Sequence, residues 1–331
     1  MNQSRRHILR IAVILLATAF PANAQKLYKL NRSIDYVLEK LYWRADIDTT
    51  YVIRPKTKWT LLGRFNVTGA EVMAKGIEEG KHFSTEMNAA HKITLSAGVS
   101  YRGLTLNLAI NPAKFLGKYH DYELSLRSYG RRMGGDIVYQ DASNFKGWSE
   151  IDGVRKDFTT SEEILKLRTL NANGYYVFNH RRFSYPAAFT HSYIQHRSSG
   201  SFLLTLSGQG QHGKADDNGQ TFNFKITNIA LGAGYGYNFV PARNWLIHLS
   251  ALPAYLIYCK ASLTMDDTRI PLRHHFPEGI ITGRGSIVRQ IGRNMFAGLS
   301  MTYYFTNIGY EKQLAIDNEK WNTRLYFGVR L

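Results

Sequence analysis

The stretch Trp321–Leu331, WNTRLYFGVRL, alternates without a break. Trp321, Thr323, Leu325, Phe327, Val329 and Leu331 are apolar or weakly polar, and Asn322, Arg324, Tyr326, Gly328 and Arg330 stand between them. A period of two is the signature of a strand with one apolar and one polar face. The pattern recurs along the chain. Ile93, Leu95, Ala97, Val99 and Tyr101 oppose Lys92, Thr94, Ser96, Gly98, Ser100 and Arg102. Leu104, Leu106, Leu108 and Ile110 form another apolar face, and Ile229, Leu231, Ala233, Tyr235, Tyr237 and Phe239 a third. Met295, Ala297, Leu299, Met301, Tyr303 and Phe305 form a fourth, and the odd positions from Trp245 to Cys259 a fifth.

Several of these segments run ten residues or more. Globular strands average about five or six, whereas crossing lipid takes about nine to eleven. The polar faces are rich in Gly, Ser, Thr, Asn and Tyr rather than only in charge, which suits a confined interior. Aromatic residues gather at the ends of the apolar faces, as in the interfacial girdles of membrane barrels. Connection lengths alternate too. With the last strand running inward, Gly292–Asn294, Pro241–Asn244, Arg132–Gly135 and Arg102–Gly103 are tight inner turns. Residues 73–90, 112–120, 141–163, 209–221, 260–278 and 309–319 are outer loops; only 180–191 is long for an inner turn. The sequence thus predicts an all-β fold, a closed antiparallel transmembrane β-barrel of about twelve strands (ten to fourteen) over residues 59–331. In it the last strand closes on the first, with Trp321 at the outer interface and Phe327 and Leu331 toward the inner rim. Pro253 lacks a donor for the ladder and predicts a bulge.

Residues 1–24 read as a secretory signal peptide: Arg5, Arg6 and Arg10, an apolar run from Ile11 to Phe20, then Ala22-Asn23-Ala24 before a cleavage point. Residues 25–58 form a separate periplasmic segment with a short amphipathic helix around Ile34–Leu41, a candidate plug for the lumen. The expected location is the outer membrane of a Gram-negative bacterium. The single cysteine, Cys259, excludes an intramolecular disulfide and cysteine-based zinc sites. The charge is +17, and +14 without Arg5, Arg6 and Arg10, which favours anionic partners. Export disfavours nucleic acid. Outer-membrane lipids, lipopolysaccharide, anionic small solutes and, during biogenesis, the barrel-assembly machinery remain. No cofactor or metal is expected, since Asp266, Asp267, His274 and His275 on one outer loop read as solvated polar residues.

DTTYVIRPKTKWTL (48–61), YYVFNHRRFSYPAAFTHSYIQHRSSGSFLL (175–204) and the C-terminal strand resemble a family of exported Gram-negative proteins known only as a domain of unknown function. The resemblance implies an outer-membrane β-barrel and carries no catalytic residues.

Three groups of residues are candidates for function. Arg64, Lys92, Arg102, Arg127, Arg324 and Arg330 fall on lumen faces, with Glu123 among few acids there, and give an anion-favouring field. Arg181 and Arg182 stand between aromatics, as an anion clamp or as interfacial anchors. Ser198 and His196, two apart and so on one outer face, match the dyad of outer-membrane phospholipases and lipid A deacylases. The favoured reading is non-enzymatic: a structural, ligand-binding or narrow-channel barrel, plugged rather than conducting. The alternatives are a lipid hydrolase using Ser198 and His196, and a soluble periplasmic β protein.

Overall fold

A computed structural model describes residues 47–331 except 79, 102–103, 113–121, 144, 160–164, 218–219, 266–267, 273–277 and 311–313. The chain divides into two compact units, 1–44 and 45–331, and the described residues belong to the second. The signal peptide, the helix around Ile34–Leu41 and the Asp266/Asp267/His274/His275 loop lie outside the described residues.

In chain order the strands are β1 (Val52–Ile53), β2 (Trp59–Glu78), β3 (Lys81–Tyr101), β4 (Leu104–Ile110), β5 (Tyr122–Tyr129), β6 (Met133–Ser143), β7 (Phe145–Ile151), β8 (Val154–Thr159) and β9 (Leu165–Val177). A single helix turn, α1 (Tyr185–Phe189), follows. Then come β10 (Ile194–Gln195), β11 (Ser199–Asp217), β12 (Gln220–Phe239), β13 (Trp245–Met265), β14 (Thr268–Leu272), β15 (Gly279–Ile291), β16 (Met295–Tyr310) and β17 (Leu314–Arg330).

Twelve of them close into an antiparallel barrel in the order β2-β17-β16-β15-β13-β12-β11-β9-β6-β5-β4-β3, with β3 returning to β2. The seam is a continuous β17–β2 ladder from Leu314↔Gly76 to Arg330↔Thr60. The Leu331 amide donates to the Trp59 carbonyl at 2.8 Å, and the Lys58 and Trp59 amides donate back to Leu331. The region 122–143 is two strands joined at 130–132. β7, β8 and β14 lie outside the closed ring and extend the wall at the hairpin end, through β3 and β13.

Hydrophobicity is inverted relative to a soluble barrel. Phe202 is 68% exposed and Leu249 67%, and Leu95, Leu106, Leu231, Ile281, Leu299, Leu325 and Phe327 also face outward. Asn66, Thr105, Asn107, Ser125, Asn228, Ser250, Ser286 and Ser300 are buried inside. A continuous outer band of apolar side chains is what a lipid-facing wall requires. Along β12 the band runs from Ile229 to Phe239. The ten steps between them at about 3.3 Å each, tilted by about 40°, give about 25 Å of height. Beyond the band the strands continue as polar hairpins, so the expected outer loops 73–90, 209–221 and 309–319 are largely ladder.

Pro253 causes no register shift. It pairs with Ile281 on β15, while the β12 ladder skips it between Gly232↔Ala254 and Tyr235↔Ala251. The bulge lies at Ile257, where Ile229 pairs with Tyr258 and Ala230 with Leu256. Ile257 and Tyr258 both end up exposed, and the alternation of β13 flips there. The period-two placement of Cys259 on the outer face therefore fails: it is half-buried past the flip.

Phe327→Asp places a charge on this outer band, near the seam. The expected outcome is loss of the fast-migrating folded band on unboiled gels and of recovery in the outer-membrane fraction; removal of residues 329–331 has the same effect by opening the seam.

Candidate functional site

The expected long inner turn does not hang below the barrel. Residues 178–198 fold back into the lumen and plug it. Ser184 caps α1, its Oγ accepting the Ala187 amide at 3.3 Å, and Pro186 sits in the first turn, where its missing N–H costs nothing. Thr190 and His191 both donate backbone N–H groups to the Pro186 carbonyl. His191 ends the turn at φ 59°, a left-handed conformation usually taken by Gly or Asn. It is held there from both sides. Its ring lies 4.3 Å from Phe296 and 4.6 Å from Tyr326, and its carbonyl accepts Arg330 Nε at 3.1 Å. Gly328 makes this possible: a Cβ at that position would collide with the Phe296 ring.

The plug reaches both walls. Ala187, Ala188 and Tyr193 pack with Leu62, Leu246, Val288, Phe296 and Tyr326, while Phe183 and Tyr185 pack with Tyr129, Val177, Leu203 and Leu252. Its backbone polar groups are satisfied by inward side chains. Ser286 Oγ donates to the Ala188 carbonyl at 2.9 Å, Asn238 Nδ2 to the Ser184 carbonyl at 2.9 Å, and Arg131 to the His180 carbonyl. Gln195 ties the plug to itself, its Oε1 accepting the Ser184 amide and its Nε2 donating to the carbonyls of Arg182 and Arg197. The 47–58 segment covers the outer side of the plug. β1 pairs with β10, Val52 is fully buried, and Asp48 accepts Arg182 Nε at 3.3 Å.

Above the plug the lumen is crossed twice. Arg284 on β15 donates to the Tyr185 hydroxyl at 3.2 Å and to the Tyr129 hydroxyl of β5, across the barrel, at 3.4 Å. Tyr129 in turn donates to Asp136, which also accepts Asn173 Nδ2 at 2.8 Å. Higher up, Lys320 on β17 donates to Gln140 Oε1 on β6, and Gln140 Nε2 donates to Glu123 Oε2 at 2.7 Å. Arg64 and Arg127 are buried between these levels. Arg64 donates to Asn107 Oδ1. Arg127 and Arg324 repel Arg64, and both draw on Glu123 as counter-charge.

Arg64, Arg127 and Arg324 share one lumen layer; Arg330 is buried lower, over the Phe296 ring and bonded to Gln290 Oε1 at 2.8 Å, as part of the plug lock. Arg102 and the side chain of Lys92 lie outside the described residues. Trp321 lies on the outer face over Gly69, and Leu331 ends the seam. Arg181 and Arg182 are exposed on the plug's outer side, where Arg182 also stacks over Tyr51 at 5.1 Å. Ser198 and His196 are not on the outer wall. β11 begins at Ser199, after both. Ser198 Oγ accepts the Val240 amide at 2.9 Å and the His196 amide donates to the Tyr51 carbonyl. Burial and the nearby Arg243 guanidinium hold the His196 imidazole below its usual range. The outward alternation of β11 does not extend back through residues that turn into the lumen. Arg284, Tyr129, Asp136 and His191 were missed, since single polar residues on a strand or turn carry no spacing signal.

Two outcomes are expected. Ser198→Ala leaves cellular lipid profiles unchanged and lowers stability by about 1 kcal/mol, the size of one hydrogen bond, read as a shift in urea midpoint. The second concerns pH. Burial, then Arg330 and Arg64, hold the His191 imidazole well below 6.5 in the folded protein. The unfolded chain therefore binds the extra proton, and stability present above pH 6.5 is lost as pH falls below it, by up to about 1.4 kcal/mol per pH unit. His191→Asn, which tolerates the left-handed backbone, makes the thermal midpoint between pH 7.5 and 5 fall less steeply than in the parent.

No curated protein matches the chain. Among solved structures it is similar to the outer membrane protease OmpT from Escherichia coli, at 7% identity over 83% of this chain and 97% of that one, with a TM-score of 0.42. It is also similar to the transport unit of the autotransporter AIDA-I from Escherichia coli, at 13% identity over 89% and 97%, TM-score 0.36, and to the toluene transporter TodX of P. putida, at 7% identity over 84% and 91%, TM-score 0.27. The family model for a domain of unknown function, DUF4421, matches residues 46–331, and the chain belongs to that family.

Proposed function

We propose that the protein is a non-conducting outer-membrane barrel whose basic lumen layer binds an anionic group entering from the hairpin end. The outer apolar band supports residence in a bilayer and disfavours the soluble periplasmic alternative, because water would face that surface at a large cost. The short connections and the plug mark the periplasmic end, and the long polar hairpins the outside, where lipopolysaccharide would meet them. A leader cleaved near Ala24 and assembly through the terminal strand by the barrel-assembly machinery complete this reading.

One observation carries the ligand class: Arg64, Arg127, Arg324 and Arg284 share this part of the lumen with two carboxylates, Glu123 and Asp136, and Lys320 adds charge above them. Guanidinium groups held in a low-dielectric space bind carboxylate or phosphate oxygens through charge-assisted hydrogen bonds. The plug and the two side-chain bridges across the lumen speak against a diffusive channel.

In planar bilayers the purified protein is expected to be silent. Titration with inorganic phosphate or citrate by calorimetry should show one saturable site, weakened about tenfold or more by Arg324→Gln. Steady single-channel currents, or anion binding indifferent to Arg324→Gln, would overturn the reading.

A further inference from the structure

The plug end of the barrel is basic among its described residues. Each described connection there exposes a cation: Lys58 before β2, Arg132 between β5 and β6, Arg243 between β12 and β13, and Arg293 between β15 and β16, with Arg289 at the foot of β15. Asp48 is the only acidic side chain within residues 47–58, 129–134, 178–200, 239–246 and 289–297, and Arg182 pairs with it. Two of the rim cations, Arg132 and Arg289, stand against aromatic rings of the outer band. Arg132 Nε donates to the Tyr176 hydroxyl at 3.2 Å, with its guanidinium 5.8 Å from that ring, and Tyr176 packs edge-on against exposed Phe178. Arg289 lies 5.2 Å over Trp245, and Lys58 precedes Trp59, which stacks on Tyr101 at 4.6 Å.

We infer that this rim binds the headgroup phosphates of anionic phospholipid in the plug-side leaflet. The geometry supplies what such a site needs: a ring at the acyl boundary to fix depth, and beside it a cation reaching toward the headgroup. The distribution selects the partner. Lipids surround a barrel, and the cations are spread around the circumference; an acidic protein docking on the end would meet chiefly Arg181, Arg182 and Arg197 on the exposed side of the plug. The inference rests on the bilayer-embedded reading of the barrel.

The test uses the full chain folded into vesicles of mixed phosphatidylcholine and phosphatidylglycerol, with either lipid carrying brominated chains, and reads tryptophan quenching as relative lipid affinity. Phosphatidylglycerol should be preferred by about fivefold at a rim site, the weight of one surface cation. Replacing Arg132, Arg243, Arg289 and Arg293 by Gln should abolish the preference, and replacing Arg181, Arg182 and Arg197 by Gln should keep it. Equal quenching by both lipids in the parent protein, or loss of preference only in the plug-face variant, overturns the proposal. Should the rim variant not fold, salt replaces it: about 1 M salt shortens the screening length to about 3 Å and should erase the preference in the parent, and its persistence overturns the proposal. Failure of the parent to insert, seen as no heat-modifiable band, would instead refute the membrane reading on which the inference stands.

Discussion

Closure of the β17–β2 seam is the constraint on which everything else depends. In hydrocarbon no water is present to satisfy a free backbone N–H or C=O, so a sheet that crosses a bilayer must have no open edge. The ladder from Leu314↔Gly76 to Arg330↔Thr60 meets that demand along its whole length. Once closed, the sheet has only an inside and an outside, and the period-two alternation assigns each residue to one of them. The exposed Leu325 and Phe327 and the buried Tyr326 and Arg330 are two faces of the same strand.

Closure at twelve strands then creates a second problem. Barrels of about eight strands are filled by their own side chains, and those of about sixteen or more leave an aqueous channel. Twelve leaves an interior that strand side chains alone do not fill. The connection 178–198 supplies the missing volume, and it brings backbone polar groups that the wall must answer. Ser286, Asn238, Arg131 and Arg330 do so. The polar inward face is thus a set of partners for the plug as well as a lining. Arg330 couples the two features, since it stands one residue from the chain's last position at the seam and bonds the carbonyl of His191 in the plug.

The same division organises charge. In the lumen, arginines from β2, β5, β15 and β17 gather around Glu123 and Asp136 and outnumber them, leaving a positive layer. At the plug end, cations line the perimeter beside aromatic rings. A single count of +17 merges these populations. They differ in surroundings: the lumen arginines are largely buried, whereas the cations at the plug end are exposed.

What the sequence determined by itself was the wall. Strand identity, facing, number and the tight turns follow from alternation and turn chemistry, both local properties. It failed where a local feature was displaced by a distant one. A single inserted residue at Ile257 flips the face of Cys259, and pattern counting has no access to a bulge. The stretch FNHRRFSYPAAF (178–189) was visible as an overlong connection, but its direction was not, because whether it hangs outside or enters the lumen depends on the free width of a barrel built from strands far away in sequence. Ser198 and His196 show the same limit: two-residue spacing places them on one face only if they belong to a strand, and the plug ends the strand before reaching them. The bridges Arg284–Tyr129 and Lys320–Gln140 join residues 155 and 180 positions apart. Only tertiary structure decides such pairs, since closing the barrel is what brings opposite walls within reach of one side chain.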